Sequence, residues 1–453
     1  MAARRLPPGL PRGLRLLAVA GLVAAALPAW SLDLAKAHEL ALARDAQVAA
    51  ARAAAAAGRE RLPQARAQLL PTLNASVSRA RNDLDTTAPN FLGESQTTNS
   101  TYNSANNTLS LRQPLFRPQL WAQYRQARFQ VEDTDAQYEV ELVNLTNRVT
   151  QQYFQALLAQ DQLEVVRQQK LAMTTQLDAA QRSLQAGVGT RTDVDDARAR
   201  LDMTVAQELE LTQALDLARR ELSLTIGEPA GALAALDPRK LVLAPPEPAG
   251  MDAWVERAET ASPELRALRA RLEASREEVA KAKAGHAPTV DAFVQRSRSE
   301  SENVTRISSI YDQRQVGVQV NIPLYQGGYV NSQMREAIAR RDQVESQLEA
   351  ARRDLGVRVL REFRGVSEGV LKVRALEQAV RSAEELVTSN QRSFQAGVRT
   401  RVDILNAEQQ LATARRDLAQ ARYVYLASKV RLAALAGQDS TAAIADVSKA
   451  LAP

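Results

Sequence analysis

The chain has 453 residues, no cysteine and only 4% aromatic residues. Without cysteine, disulfides, thiol chemistry and a lipid-modified N-terminal Cys are excluded. The net charge of +6 falls to +2 when Arg4, Arg5, Arg12 and Arg15 are set aside (6 − 4), so the rest of the chain carries no basic excess pointing to nucleic acid. Ala, Leu, Arg, Gln and Glu dominate, which favours long helices over compact mixed cores.

Those four arginines precede an apolar run over residues 16–27 and small residues up to Ala29. This is the form of a secretory signal peptide over residues 1–29. A single membrane anchor is the alternative, but the run is shorter than the ~20 residues a span needs. No later stretch offers ~18 uninterrupted apolar residues, so any membrane insertion falls to strands.

Residues 34–66 read as a helix, with Leu34, Leu40, Ala41 and Val48 at helical spacing and Pro71 as its stop. Leu73, Ala75 and Val77 then alternate with polar residues, as do Leu109 and Leu111 further on. The Thr-, Asn- and Ser-rich residues 82–107 lie between them, giving strand, long polar loop, strand. Pro114-Leu115-Phe116 ends the pair. From Gln119 to Gln185 steps of three and four connect Leu142, Leu145, Val149, Ala156, Ala159, Leu163, Val166, Met173, Leu177, Ala180 and Leu184, broken only by Gln152 and Lys170. Such a register predicts a supercoiled helix about 100 Å long. A return helix runs to Ile226. Gly227 to Gly250 forms a Pro- and Gly-rich equatorial linker.

The programme then restarts: helix over 252–284, Pro288, strand from Val290, polar loop over 297–311, strand over 316–322 and Pro323-Leu324-Tyr325. A second long helix and a return helix reach Leu435, and residues 437–453 form a tail. Val373, Leu376, Val380, Ala383, Val387, Asn390 and Phe394 lie 210 residues after seam positions of the first long helix. The hairpin tips obey the same offset: Ala-Gly-Val at 186–188 and 396–398, followed by Thr190-Arg-x-Asp193 and Thr400-Arg-x-Asp403. Glycine ends a helix in the left-handed region, and Thr with Asp suits the next first turn. The chain is therefore duplicated, with repeats over 30–226 and 251–436.

Four amphipathic strands cannot close a barrel, and lipid tolerates no open edge. A homotrimer pooling twelve strands is the simplest repair. The strand ends, Gln326-Gly327-Gly328 and both tips resemble outer membrane efflux proteins of the TolC type, over residues 32–435. That resemblance implies a mainly α fold with a small β part. The implied architecture is a trimeric channel-tunnel, with a 12-stranded barrel in the outer membrane and an α-helical coiled-coil barrel across the periplasm. The resemblance also implies export from an inner-membrane ABC or RND transporter through a periplasmic adaptor. The missing cysteine places the chain with the non-lipidated branch, closer to type I secretion.

By the same resemblance Asp403 forms an acidic ring at the tunnel mouth, while a second ring position is occupied by the neutral Asn406. Arg399 matches a tethering arginine whose partners are Thr192 and Asp193, and Phe394 stands where the family often has Tyr. The resemblance further implies that Gly187, Val188, Gly397 and Val398 contact the adaptor. Read from residue type alone, Asp193 and Asp403 are simply helix N-terminal charges. His38 and His286 are isolated, with no cofactor, metal site, nucleic-acid or catalytic motif in view. A pore-less periplasmic coiled-coil adaptor is the competing reading, although it would not need four strands placed pairwise between helices.

Overall fold

The structure, a computed structural model, describes residues 31–300 and 309–451. The signal-peptide expectation over 1–29 lies outside the described residues, as do residues 301–308 of the second polar loop. The N-terminal helix is three pieces, α1 (Leu34–Arg44), α2 (Ala46–Arg59) and α3 (Arg61–Ala67), rather than one. Asp45 causes the first break: its backbone is extended, and its carboxylate accepts from the amides of Gln47 and Val48 at 2.8 and 2.9 Å. A side chain that bonds its own downstream amides competes with continuing the helix.

The sheet corrects the expected loops. β1 (Thr72–Pro89) and β2 (Ser95–Phe116) pair in unbroken register, so most of residues 82–107 is strand. Polar cross-strand bonds take the place of apolar alternation there. Thr87 and Thr97 hydroxyls lie 2.7 Å apart, Asn82 Nδ2 donates to Ser104 at 2.9 Å, and Asn99 donates to Asp83 and Asp85 at 2.8 Å. The turn is held by Asn90 Oδ1, which accepts from the amides of Leu92 and Glu94. β2 bulges at Pro114, which has no N–H for the ladder.

After β2 come α4 (Pro118–Gln185) and α5 (Arg191–Ile226). The expected helix over 252–284 is divided into α6 (Met251–Ala261) and α7 (Pro263–Lys283) at Ser262, whose hydroxyl accepts from the Leu265 amide. Pro263 occupies the first turn of α7, where its missing N–H costs nothing. β3 (Thr289–Glu300) and β4 (Ile310–Asn321) complete one antiparallel sheet in the order β1-β2-β3-β4. α8 (Tyr329–Gln395) and α9 (Arg401–Leu435) follow, and the tail folds as α10 (Ser440–Ser448).

The long helices change partners along their length: α4 packs on α7 and then α5, while α8 packs on α7 and then α9. The main core lies at the level of the linker. There Leu34, Leu145, Tyr153, Leu157, Leu222, Ile226, Leu265, Leu355, Tyr425 and Ile444 are fully buried. Each buried Leu or Ile contributes about 1.5–3 kcal/mol. Residues 227–250 form no long helix and are pinned to this core: the Tyr153 hydroxyl lies 2.9 Å from the Leu32 carbonyl and 3.1 Å from that of Ala234. Toward the tips burial thins to small clusters, Ala159–Leu163–Leu215, Val373–Leu418–Ala421 and Ala180–Val194–Ala197. Leu163 and Val373, 210 residues apart, are both buried, so the duplicated register is also a duplicated seam.

Candidate functional site at the two hairpin tips

Both tips are built by one local chemistry. Gly187 and Gly397 have φ of +75° and +74°, a conformation that costs L-residues about 1–2 kcal/mol. Open space surrounds both glycines, so the requirement is conformational rather than steric. Val188 N donates to Ser183 O and Gly187 N to Leu184 O. Val398 and Gly397 repeat this on Ser393 and Phe394, closing a Schellman motif at each helix end. The two valines are left 82% and 77% exposed at the extreme of each hairpin.

Each return helix restarts with a capping box. Thr190 accepts from the Asp193 amide, and Asp193 Oδ2 accepts from the Thr190 amide at 3.1 Å and hydroxyl at 2.7 Å. Thr400 and Asp403 do the same, at 2.9 and 2.8 Å. The Thr190 hydroxyl, then its amide, holds the Asp193 carboxyl below the usual carboxylate range. The Thr400 amide, then its hydroxyl, does so for Asp403. Both carboxylates are therefore ionised at neutral pH.

Of the expected gate residues, the chain brings Arg399 to Asp403, with Nη1 3.7 Å from Oδ1, and not to Thr192 or Asp193. Thr192 and Asn406 are exposed on their helices. Sequence reasoning passed over two further residues. Arg401 places its guanidinium 5.6 Å from the centre of the Phe394 ring, and its charge also acts on Asp193 across the gap between the tips. Asn390 Nδ2 donates to the Asp403 carbonyl at 3.0 Å, tying α8 to the first turn of α9. An amide at a seam position otherwise filled by apolar residues was the available signal.

A four-stranded sheet apolar on one face, continued by two antiparallel coiled coils about 100 Å long, is the protomer of a channel-tunnel. The profile of the family described as "Outer membrane efflux protein" matches residues 37–228 and 254–438, and the chain belongs to that family. It is 35% identical over 370 residues to the alkaline protease secretion protein AprF of Pseudomonas aeruginosa, covering 81% of this chain and 76% of that one. It is 34% identical over 344 residues to the proteases secretion protein PrtF of Dickeya chrysanthemi, covering 75% and 74%. Among solved structures, the outer membrane protein VceC of Vibrio cholerae shares the fold at 18% identity and a TM-score of 0.76, covering 89% of this chain and 96% of that one. The protein is thus an outer membrane channel-tunnel that exports substrates across periplasm and outer membrane, and the pore-less adaptor reading falls. The family is one of transport components.

Proposed function

We propose that three copies of this chain close one conduit that serves as the exit of a polypeptide secretion path. The observation that carries this reading is the open sheet. β1 and β4 each have one unpaired edge within a chain, and the sheet's apolar face carries Val316, Val318 and Val320, each more than half exposed. Neither edge is tolerable in lipid unless β1 of one protomer pairs with β4 of the next. Three protomers give twelve strands, within the usual even-numbered range.

Polypeptide cargo is favoured over drugs by the two protease-secretion relatives. The inner-membrane partner is then an ABC transporter rather than an RND pump, joined through a periplasmic adaptor that seats on Gly187, Val188, Gly397 and Val398. At the mouth, three Asp403 carboxylates form a cation-attracting ring, and Asn406 adds no charge. Arg399 reaches Thr192 and Asp193 of the neighbouring protomer. Within each protomer, Arg401 takes the place of the tyrosine tether, a role supported by its guanidinium over the Phe394 ring and by the pull of its charge on Asp193. The repeats 30–226 and 251–436 supply the outer and inner legs, hinged at the linker.

The experiment is cross-linking of purified protein in detergent followed by single-channel recording in a planar lipid film. Threefold species and discrete conductance are expected. Monomers only, or a film that stays silent, would sink the reading.

A further inference from the structure

The two borders of the apolar band differ. Register places Leu73, Ala75, Val77, Leu109, Leu111, Val290, Ala292, Val294, Val316, Val318 and Val320 on one face of the sheet. The other face carries Asn, Ser, Thr and Gln, with Phe293, Tyr102 and Tyr311 among them. From Ile322 to Val316 the band runs about 20 Å along the strand, close to the ~25 Å band of outer-membrane barrels. On the side of the helices it is bordered by exposed aromatics, Phe116, Trp121 and Tyr325. On the distal side it is bordered by arginine.

The strands contain six arginines and no lysine, and five of the six lie on the apolar face just beyond the band: Arg79, Arg81, Arg296, Arg298 and Arg314. The sixth, Arg112, lies on the polar face, beside the helices. The distal half of the polar face, which lines the bore, carries no charged side chain among the described strand residues.

The same distal face also carries Asp83, Asp85, Glu300 and Asp312, so the excess of positive charge is small overall and is concentrated where arginines oppose one another. Arg296 and Arg314 are direct cross-strand partners, and like charges in that position repel. Arg298 sits opposite Asp312, and Arg296 donates to Asp312 at 2.8 Å, so the one carboxylate that Arg296 holds also feels the charges of Arg298 and Arg314. All five arginines are exposed. Their long stems can lie along the apolar band while the planar heads reach outward to the headgroup level. Guanidinium forks match phosphate oxygens, with two bonds per head.

We propose that this arginine belt is a binding site for the phosphate groups of anionic lipid in the outer leaflet. The aromatic border faces the inner leaflet. The proposal rests on the trimeric reading for one feature: pairing of β1 with β4 of the next protomer would join the arginines of successive protomers into one belt.

The test uses the full-length protein in neutral detergent. Its thermal midpoint is followed with added diphosphorylated lipid A, phosphatidylethanolamine or inorganic phosphate. Arg298→Gln/Arg314→Gln leaves the Arg296–Asp312 pair in place and is compared with wild type. Lipid A is expected to raise the wild-type midpoint. The double variant should lose most of that rise, with apparent affinity down on the order of tenfold or more. Phosphatidylethanolamine should do little. Without lipid, Arg314→Gln should leave the midpoint unchanged or raise it, because a like-charge pair is gone. Equal lipid A shifts in variant and wild type overturn the proposal. So does an equal shift from inorganic phosphate alone, which would define a free-anion site. A lower midpoint for Arg314→Gln without lipid would make the arginine a structural one and overturn it too. Monomeric protein that still shows the arginine-dependent lipid A shift would refute the trimer while leaving this site standing.

Discussion

Arg117, the residue before the first long helix, donates its Nε to Asp291 Oδ1 at 2.7 Å, although the two are 174 positions apart. Arg112 of β2 donates to the same carboxylate, and Asp291 is only 3% exposed. This carboxylate joins the second strand and first long helix of one repeat to the first strand of the other, at the point where sheet becomes tunnel.

Replacing Asp291 by Ala leaves two arginines facing each other without a counter-charge. Arg112 is half exposed and can turn to water, so the expected loss is about 1–3 kcal/mol rather than the larger cost of a fully buried pair. Circular dichroism melting in detergent measures it. An unchanged midpoint would remove Asp291 from the junction.

The tip glycines allow a cleaner test. Gly397→Ala should cost about 1–2 kcal/mol through its positive φ alone, since nothing crowds the position. Hydrogen exchange should then quicken at the end of α8 and the start of α9 while the equatorial core stays protected. Gly187→Ala should mirror this at the other tip. Exchange that changes throughout the chain would contradict a purely local role.

The two roles of Asp403 can be separated because Asn keeps a cap oxygen but loses the charge. Asp403→Asn should weaken cation preference and block by trivalent cations, with the hairpin still folded. Arg399→Ser and Arg401→Ser should each raise single-channel conductance, several-fold if the mouth is what limits the current. Conductance that stays at wild-type level in either variant would exclude that arginine from the closure.

A pH response is expected from His38. Burial lowers its imidazole below the usual range, outweighing a smaller raising effect from Asp439. Its Nε2 lies 3.1 Å from the Thr146 hydroxyl. The fold thus favours the neutral ring. Its contribution is intact above the unfolded value of about 6.5 and is lost as pH falls from there toward the lower folded value. Urea midpoints between pH 7.5 and 5 should decline in wild type, and His38→Gln should flatten that slope. An identical slope in the variant would assign the response to other groups.

Legibility followed the range of the interaction. Helix ends at the tips could be read because a left-handed glycine and a Thr-x-x-Asp box act within a few residues. The duplicated seam could be read because helical packing repeats every three or four residues, as Leu163 and Val373 show. Asp45 and Ser262 broke helices that periodicity carried straight through, since one side chain bonding its own downstream amides leaves the apolar pattern untouched. The role of Asn390 was missed for a related reason: its partner is a backbone carbonyl on the next helix.

By itself the amino-acid order determined the class of fold, the two matched hairpins and the need for strands to be shared, because each follows from local backbone chemistry or from periodicity. Only the tertiary structure decided that the Thr- and Asn-rich segments after Asn82 are strand, that Arg117 belongs with Asp291, and that Arg296 faces Arg314. Those facts depend on register between segments far apart in the chain. Register is set by the closing of the whole sheet, not by any residue's own preference.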